Sequence, residues 1–172
     1  YDPYDVLKSP VPFRLFGTYA AAVATQLHKR NPVNFRPLLG IRKGHNAKAL
    51  GLLLYVYARL QHRHPSRDYS VQLKKLYDYL KQQVAEGFHG ACWGYNFPWA
   101  SPGKFLPAFA PNAVVTSFVT KGLYEYYRLT NDAEAARLVV SAAGFVIHDL
   151  SSTEEGAGIC FSYTPYKKDI CY

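Results

Sequence analysis

Two stretches of this chain are near copies of one another, and that repetition limits the fold more than any other feature. Leu54-Tyr55-Val56-Tyr57-Ala58-Arg59-Leu60 returns 69 residues later as Leu123-Tyr124-Glu125-Tyr126-Tyr127-Arg128-Leu129. Gly90-Ala91-Cys92-Trp93-Gly94-Tyr95 returns after 68 residues as Gly158-Ile159-Cys160-Phe161-Ser162-Tyr163. Asn46-Ala47 and Asn112-Ala113, each placed to open a helix, lie 66 apart. Three markers in one order at nearly one spacing imply a duplicated unit of about 66 to 69 residues. A unit of this kind buries its apolar faces by stacking on neighbours, so several copies are needed for a closed core.

Within each unit the apolar spacing predicts two helices followed by a long loop of glycine and aromatic residues, an all-α class. A lead helix is expected over 14–29, with Phe16, Tyr19, Val23 and Leu27 at helical spacing as its inward stripe. The first repeat, about 46–111, is expected to hold helices over 46–62 and 69–86. Asn46 caps the first of them, and Gly87 stops the second. The loop 87–111 follows. The second repeat, about 112–172, is expected to hold helices over 112–129 and 133–150. The three residues Thr130-Asn131-Asp132 between these imply an antiparallel hairpin. The helix opening at Asn112 is apolar almost all round and wants burial on several sides. An aromatic loop over 156–172 ends the chain.

The residues Cys92-Trp93-Gly94-Tyr95-Asn96-Phe97-Pro98-Trp99, Asn112 with Thr116-Ser117-Phe118-Val119, and Cys160-Phe161-Ser162-Tyr163-Thr164-Pro165 follow one another between helices. In that order they resemble the α/α-toroid, or six-hairpin glycosidase-like, superfamily. The nearest likeness is to bacterial and archaeal members linked to surface-polysaccharide synthesis. The resemblance covers most of the chain and implies a single partial toroid over 1–172, since a closed toroid has about six hairpins and this chain holds two and a lead helix. It implies carbohydrate binding or processing, within a superfamily of hydrolases, lyases, epimerases and members without a known reaction.

The resemblance places a sugar-binding funnel at the loop end of the inner helices, which singles out Trp93, Tyr95, Asn96, Trp99 and Tyr163, with Asn112 and Thr116 at the helix entrance. Independently, sugar rings pack their C–H faces on aromatic rings while their hydroxyls need convergent polar groups. The competing reading is that these aromatics fasten loop to helix. That reading is strongest for Trp93, which repeats as Phe161, while Trp99 and Asn96 have no counterpart. Glycoside hydrolysis uses two carboxylates, and the candidates among aromatics are Asp5 and Asp169, each of which also reads as a solvated loop acid or helix cap. If the chain is an enzyme, general acid/base chemistry from such a loop carboxylate is expected. Two readings stand beside the glycan one: a non-catalytic helical scaffold for a protein partner, and a zinc-dependent cyclase-like toroid using His89, Cys92, Cys160 and Cys171. Their spacing matches no compact zinc motif, so no metal or other cofactor is expected.

The net charge of +8 is uneven. Residues 1–86 carry 14 Lys and Arg against 5 acids, or +9, whereas 87–172 carry 6 against 7, or −1. A basic half attracts anions, an acidic glycan among them, or is a solvated face. Without an arginine-rich run or nucleic-acid motif, no nucleic-acid partner is expected. No apolar run reaches the roughly 20 residues of a membrane span. Three cysteines, an odd and sparse count, suit thiols in a reducing compartment, and the cytoplasm is expected. The absence of Met suggests a trimmed start or an internal piece. A partial toroid would expose apolar helix faces, so self-association or completion by further hairpins is expected.

Overall fold

A computed structural model describes residues 2–102 and 104–166, and they are mainly helical. A 3-10 helix, Pro3–Lys8, and a 3-10 turn, Phe13–Phe16, lead into α1 (Gly17–Arg30). Then come α2 (Ala47–Arg63), α3 (Ser70–Lys81), β1 (Trp99–Ser101), β2 (Lys104–Leu106), α4 (Ala113–Thr130), α5 (Ala133–His148), β3 (Ser152–Glu155) and β4 (Gly158–Phe161). Contacts divide the chain into two compact units, Tyr1–His45 with Tyr95–Ala110, and Asn46–Gly94 with Pro111–Tyr172. Among the described residues no helix is long and apolar enough to cross a membrane.

The second unit contains both helical hairpins. Asn46 caps α2 by accepting from the Lys48 N–H at 2.9 Å, and Asn112 caps α4 by accepting from Val115 N–H at 2.9 Å. Each side chain thereby satisfies one backbone donor that the helix leaves without a partner. Gln61 near the end of α2 ties down the turn to α3: its amide donates to the Arg67 carbonyl and accepts from Tyr69 N–H, both at 2.8 Å. Between α4 and α5 the chain reverses at Asn131, whose φ of 56° is left-handed, and Asp132 caps α5 through Ala135 N–H at 2.9 Å.

Helices α2 and α4 lie side by side and parallel. Lys48 sits over the Phe118 ring at 4.6 Å, Lys121 over the Tyr55 ring at 4.8 Å, and Arg59 stands 3.8 Å from Glu125. Position numbers thus rise together on both helices. At the crossing, a Cβ on Gly122 would fall 2.3 Å from the Gly51 carbonyl oxygen, and one on Gly51 would fall 2.7 Å from Val119 Cα. Only two glycines allow that approach. Helix α3 meets α4 in the opposite sense. The Tyr77 ring stacks on Tyr126 at 4.5 Å, and the Tyr77 hydroxyl reaches Asp132 and Glu134 at the start of α5. Leu54, Val115, Val119 and Leu123 are fully buried in the resulting core. The nearly all-round apolar α4 is covered on several sides, by α2, α3 and α5, and the strip of Ser117, Lys121, Tyr124 and Arg128 stays exposed.

Three expectations need correction. Helix α3 ends at Lys81 rather than near residue 86, so Gly87 is not its stop. The reason is tertiary: the Trp93 indole N–H donates to the Leu80 carbonyl at 2.8 Å, and Ala85 N–H turns away to the Cys92 carbonyl at 2.9 Å. Gly87 instead provides a left-handed turn, with φ of 86°, after the helix is over. The two loops expected to be irregular each contain an antiparallel hairpin, β1 with β2 (Trp99 opposite Leu106) and β3 with β4 (Thr153 opposite Cys160). The lead helix starts at Gly17, and its expected inward stripe faces out: Phe16, Tyr19, Val23 and Leu27 are all exposed, while Ala21 and Thr25 are buried.

Candidate functional site

The 3-10 helix Pro3–Lys8 begins a polar cluster in the first unit. Asp2 accepts from Tyr4 N–H at 3.1 Å, and the Asp5 carboxylate accepts from Asp2 N–H at 2.6 Å, a reciprocal cap that holds Asp5 inward. Asp5 is only 2% exposed. Its second oxygen lies 2.9 Å from Lys8 Nζ, an ion pair without hydrogen-bond alignment. Gly44 provides the floor: a Cβ there would lie 2.5 Å from the Asn96 amide nitrogen and 3.9 Å from Lys8 Nζ. Asn96 is buried, and it is flanked by a ladder of rings. Tyr4 stacks on Phe97 at 5.7 Å with planes 6° apart, and Phe97 stacks on Tyr95 at 5.0 Å.

The cluster has two further members. The Arg36 guanidinium donates to the Asp2 carbonyl at 3.1 Å and to Asn34 Oδ1 at 3.1 Å. His28 on α1 is half-buried, and burial is the main cause holding its pKa below the ordinary 6.5. The Arg36 cation adds to that, with Asp5 opposing. Its Nε2 is buried and has no hydrogen-bond partner. Burial also raises the Asp2 carboxyl above its usual 3.8. A neutral imidazole, a buried carboxylate, two cations and an amide in one place form a set able to bind hydroxyls and carboxylates and to move protons. Trp99, half-buried, opens β1, which packs on α1 and on the helix Pro3–Lys8.

Of the residues singled out from sequence, Asp5, Tyr95 and Asn96 therefore come together, and Trp99 lies in the same unit. Trp93, Asn112, Thr116 and Tyr163 belong to the other unit and form a joint. Trp93 is fully buried; its N–H donates to Thr116 Oγ1 at 3.1 Å and its carbonyl accepts from Asn112 N–H at 3.1 Å. Tyr163 closes the joint from the second loop by accepting Ala113 N–H at 2.9 Å. Trp93 has no open face for a sugar, and Asn112 and Thr116 are equally enclosed. The Asn112 amide nitrogen is left without a partner in that enclosure. Asp169 and Cys171 lie outside the described residues.

His28 and Arg36 carry no sequence signal of function, because nothing in a helical histidine or a loop arginine announces that Asp5 lies nearby. The cysteines also differ from expectation. Cys160 is disulfide-bonded, so the reading of all three as thiols is corrected, and a reducing compartment loses that support. Cys92 is a free thiol whose pKa burial pushes up to about 12, with the Asp149 charge adding to it. A zinc site drawn from His89, Cys92 and Cys160 does not fit these donors: one thiol resists ionisation, one sulfur is in a disulfide, and Asp149 holds His89 Nδ1 at 2.8 Å. Among the described residues no group of three His, Cys, Asp or Glu side chains is placed to hold a metal. The His89–Asp149 pair acts instead as a clamp, since Asp149 also accepts from His89 N–H at 2.9 Å.

No protein family matches the chain, and no curated protein or solved structure does either.

Proposed function

We propose that this chain handles a saccharide, with acidic sugars preferred, and that its helical hairpins form an arc of the α/α-toroid type. The observation carrying the reading is the convergence of the buried Asp5–Lys8 pair, the Asn96 amide and the Tyr4–Phe97–Tyr95 ladder in one unit. Phe97 is enclosed between Tyr4 and Tyr95, so the half-buried Tyr4 and Tyr95 rings offer the apolar face for a pyranose, while the amide, ammonium and carboxylate match hydroxyls. Lys8 and Arg36 favour a substrate that carries carboxylates. For the toroid, the support is the parallel contact of α2 and α4, each followed by a helix that returns in the opposite sense. Any chemistry at this site runs through Asp5 as acid or base, with neutral His28 as second proton carrier. A non-catalytic scaffold is the second reading, favoured by the exposed apolar stripes on α1 and α2.

The test is tryptophan fluorescence of the full chain titrated with neutral and acidic oligosaccharides. Trp99 reports on the cluster's unit, and Trp93, sealed in the other unit, serves as the control. A saturable change is expected that survives Trp93→Phe, vanishes in Trp99→Phe and weakens at least about tenfold in Asp5→Asn, the loss typical of a charge-assisted hydrogen bond. A flat response to every sugar, checked by calorimetry, sinks the saccharide reading and leaves the scaffold.

A further inference from the structure

The duplication extends to burial. At the 69-residue spacing, Ala47 and Thr116, Leu50 and Val119, and Leu54 and Leu123 are buried pairs, so α2 and α4 present equivalent faces at equivalent positions. The caps, 66 apart, show that α4 starts one helical turn earlier in this register, which leaves the faces aligned. The observed interface then has two distinct sides. Helix α2 offers Lys48, Gly51, Tyr55 and Arg59, and α4 receives them with Phe118, Lys121, Gly122 and Glu125.

Each helix also carries the equivalent of its neighbour's side. Moving the receiving stripe of α4 back by 69 places it on Ala49, Leu52, Leu53 and Val56 of α2. These four are apolar, and Leu52, Leu53 and Val56 are 40%, 46% and 45% exposed. Moving the offering stripe of α2 forward by 69 places it on Ser117, Thr120, Tyr124 and Arg128 of α4, where Tyr124 is 47% exposed. Three large aliphatic side chains in a row on one helix face are a docking surface in a molecule whose own repeat already uses that face. The receiving side is more apolar than the one within the chain, with Leu, Leu and Val replacing Lys121, Gly122 and Glu125. The crossing pair becomes Thr120 against Leu53 rather than two glycines, so the axes stand at an ordinary separation of about 8 to 10 Å.

We propose that the stripe Ala49–Leu52–Leu53–Val56 docks α4 of a second copy of this chain, through Tyr124 and its neighbours, repeating the α2–α4 contact between molecules. Such a contact joins unlike surfaces, so each copy keeps one surface free and assembly proceeds head to tail, into rings or open strings. The inference rests on the repeat alone and does not require a saccharide.

Sedimentation velocity of the full chain between about 1 and 100 µM, the range of a moderate interface, tests it. Growth past the dimer with rising concentration is expected. Leu53→Asp and Tyr124→Asp are each expected to remain monomeric while keeping wild-type helical circular dichroism. An equimolar mixture of the two variants has one intact contact and is expected to give a heterodimer that grows no further. If either variant loses its helical signal, Val56→Glu and Arg128→Glu make the same pair of tests. A wild-type chain that is monomeric throughout, association that neither substitution alters, or a mixture that stays monomeric overturns the proposal. The sugar titration reads Trp99 in the other unit, so failure of one is distinguishable from failure of the other.

Discussion

Trp93 shows how much one side chain does here: it supplies a hydrogen bond to the last turn of α3, and its backbone joins the start of α4. Trp93→Phe removes the indole donor from the Leu80 carbonyl, which is left with the Gln83 N–H at 3.2 Å, and opens space where the larger ring was. A loss of about 2 to 3 kcal/mol is expected, read from urea unfolding followed by circular dichroism. An unchanged midpoint would mean that the joint repacks around the smaller ring. His28 carries a pH prediction. Its folded pKa lies below the unfolded 6.5, so below that value the unfolded chain binds more protons and gains. The stabilising contribution is complete above about pH 6.5 and is lost as pH falls towards the folded value. Unfolding followed by Trp99 fluorescence is expected to show falling stability from about pH 7 to 5.5, with His28→Gln flattening that slope. A slope equal in both proteins would place its origin elsewhere. At this scale the legible residues were those with local partners. Asn46 and Asn112 cap helices through N–H groups two and three positions on, which spacing reveals. Asp5 was legible as a candidate acid, and Lys8 is its local partner three residues on, but His28 and Arg36 join it only through folding.

The helices owe their legibility to periodicity, and the departures mark where packing overrides it. All six ends of α2, α4 and α5 lie within two residues of expectation, because these helices have caps and apolar stripes that agree. The end of α3 does not, since Trp93 and Cys92 draw the chain away. The stripe on α1 is correct in its spacing and wrong in its direction: four apolar residues in register do not specify which neighbour covers them. The short hairpins were missed because three or four residues with turn-forming neighbours carry little alternation to detect. The glycine crossing was equally silent, although it sets the distance between α2 and α4. Gly122→Ala is expected to push the helices apart and cost about 2 to 3 kcal/mol, because the new methyl meets the Gly51 backbone rather than a side chain that can swing away. Ser117→Ala on the exposed side of the same helix is expected to change stability by less than about 0.5 kcal/mol. Thermal melts of the two variants decide, and equal melting temperatures would contradict the crossing.

At the scale of the whole molecule, the repeat was readable while the division into two units was not, since the loop 87–111 looks continuous in sequence yet gives residues up to Gly94 to one unit and Tyr95–Ala110 to the other. The two units differ in how much they bury. In α1 only Ala21 and Thr25 are buried, and the other large side chains along its outer stripe face solvent. In α4 six residues are buried, among them Val115, Val119 and Leu123 without measurable exposure. Opening a segment costs free energy in proportion to the apolar contacts it gives up, so poorly buried helices open by local steps and well-buried ones only with the global transition. Backbone amides of α1 are therefore expected to exchange with deuterium at least about a hundredfold faster than those of α4, a gap of nearly 3 kcal/mol in opening free energy. The Asp5 cluster links the helix Pro3–Lys8, α1 through His28 and the segment carrying Asn96, so a saccharide bound there would slow exchange in α1 and leave α4 unchanged. Equal protection of α1 and α4 in the free chain would show one cooperative unit, and ligand-induced protection confined to α4 would move the site to the Trp93 joint.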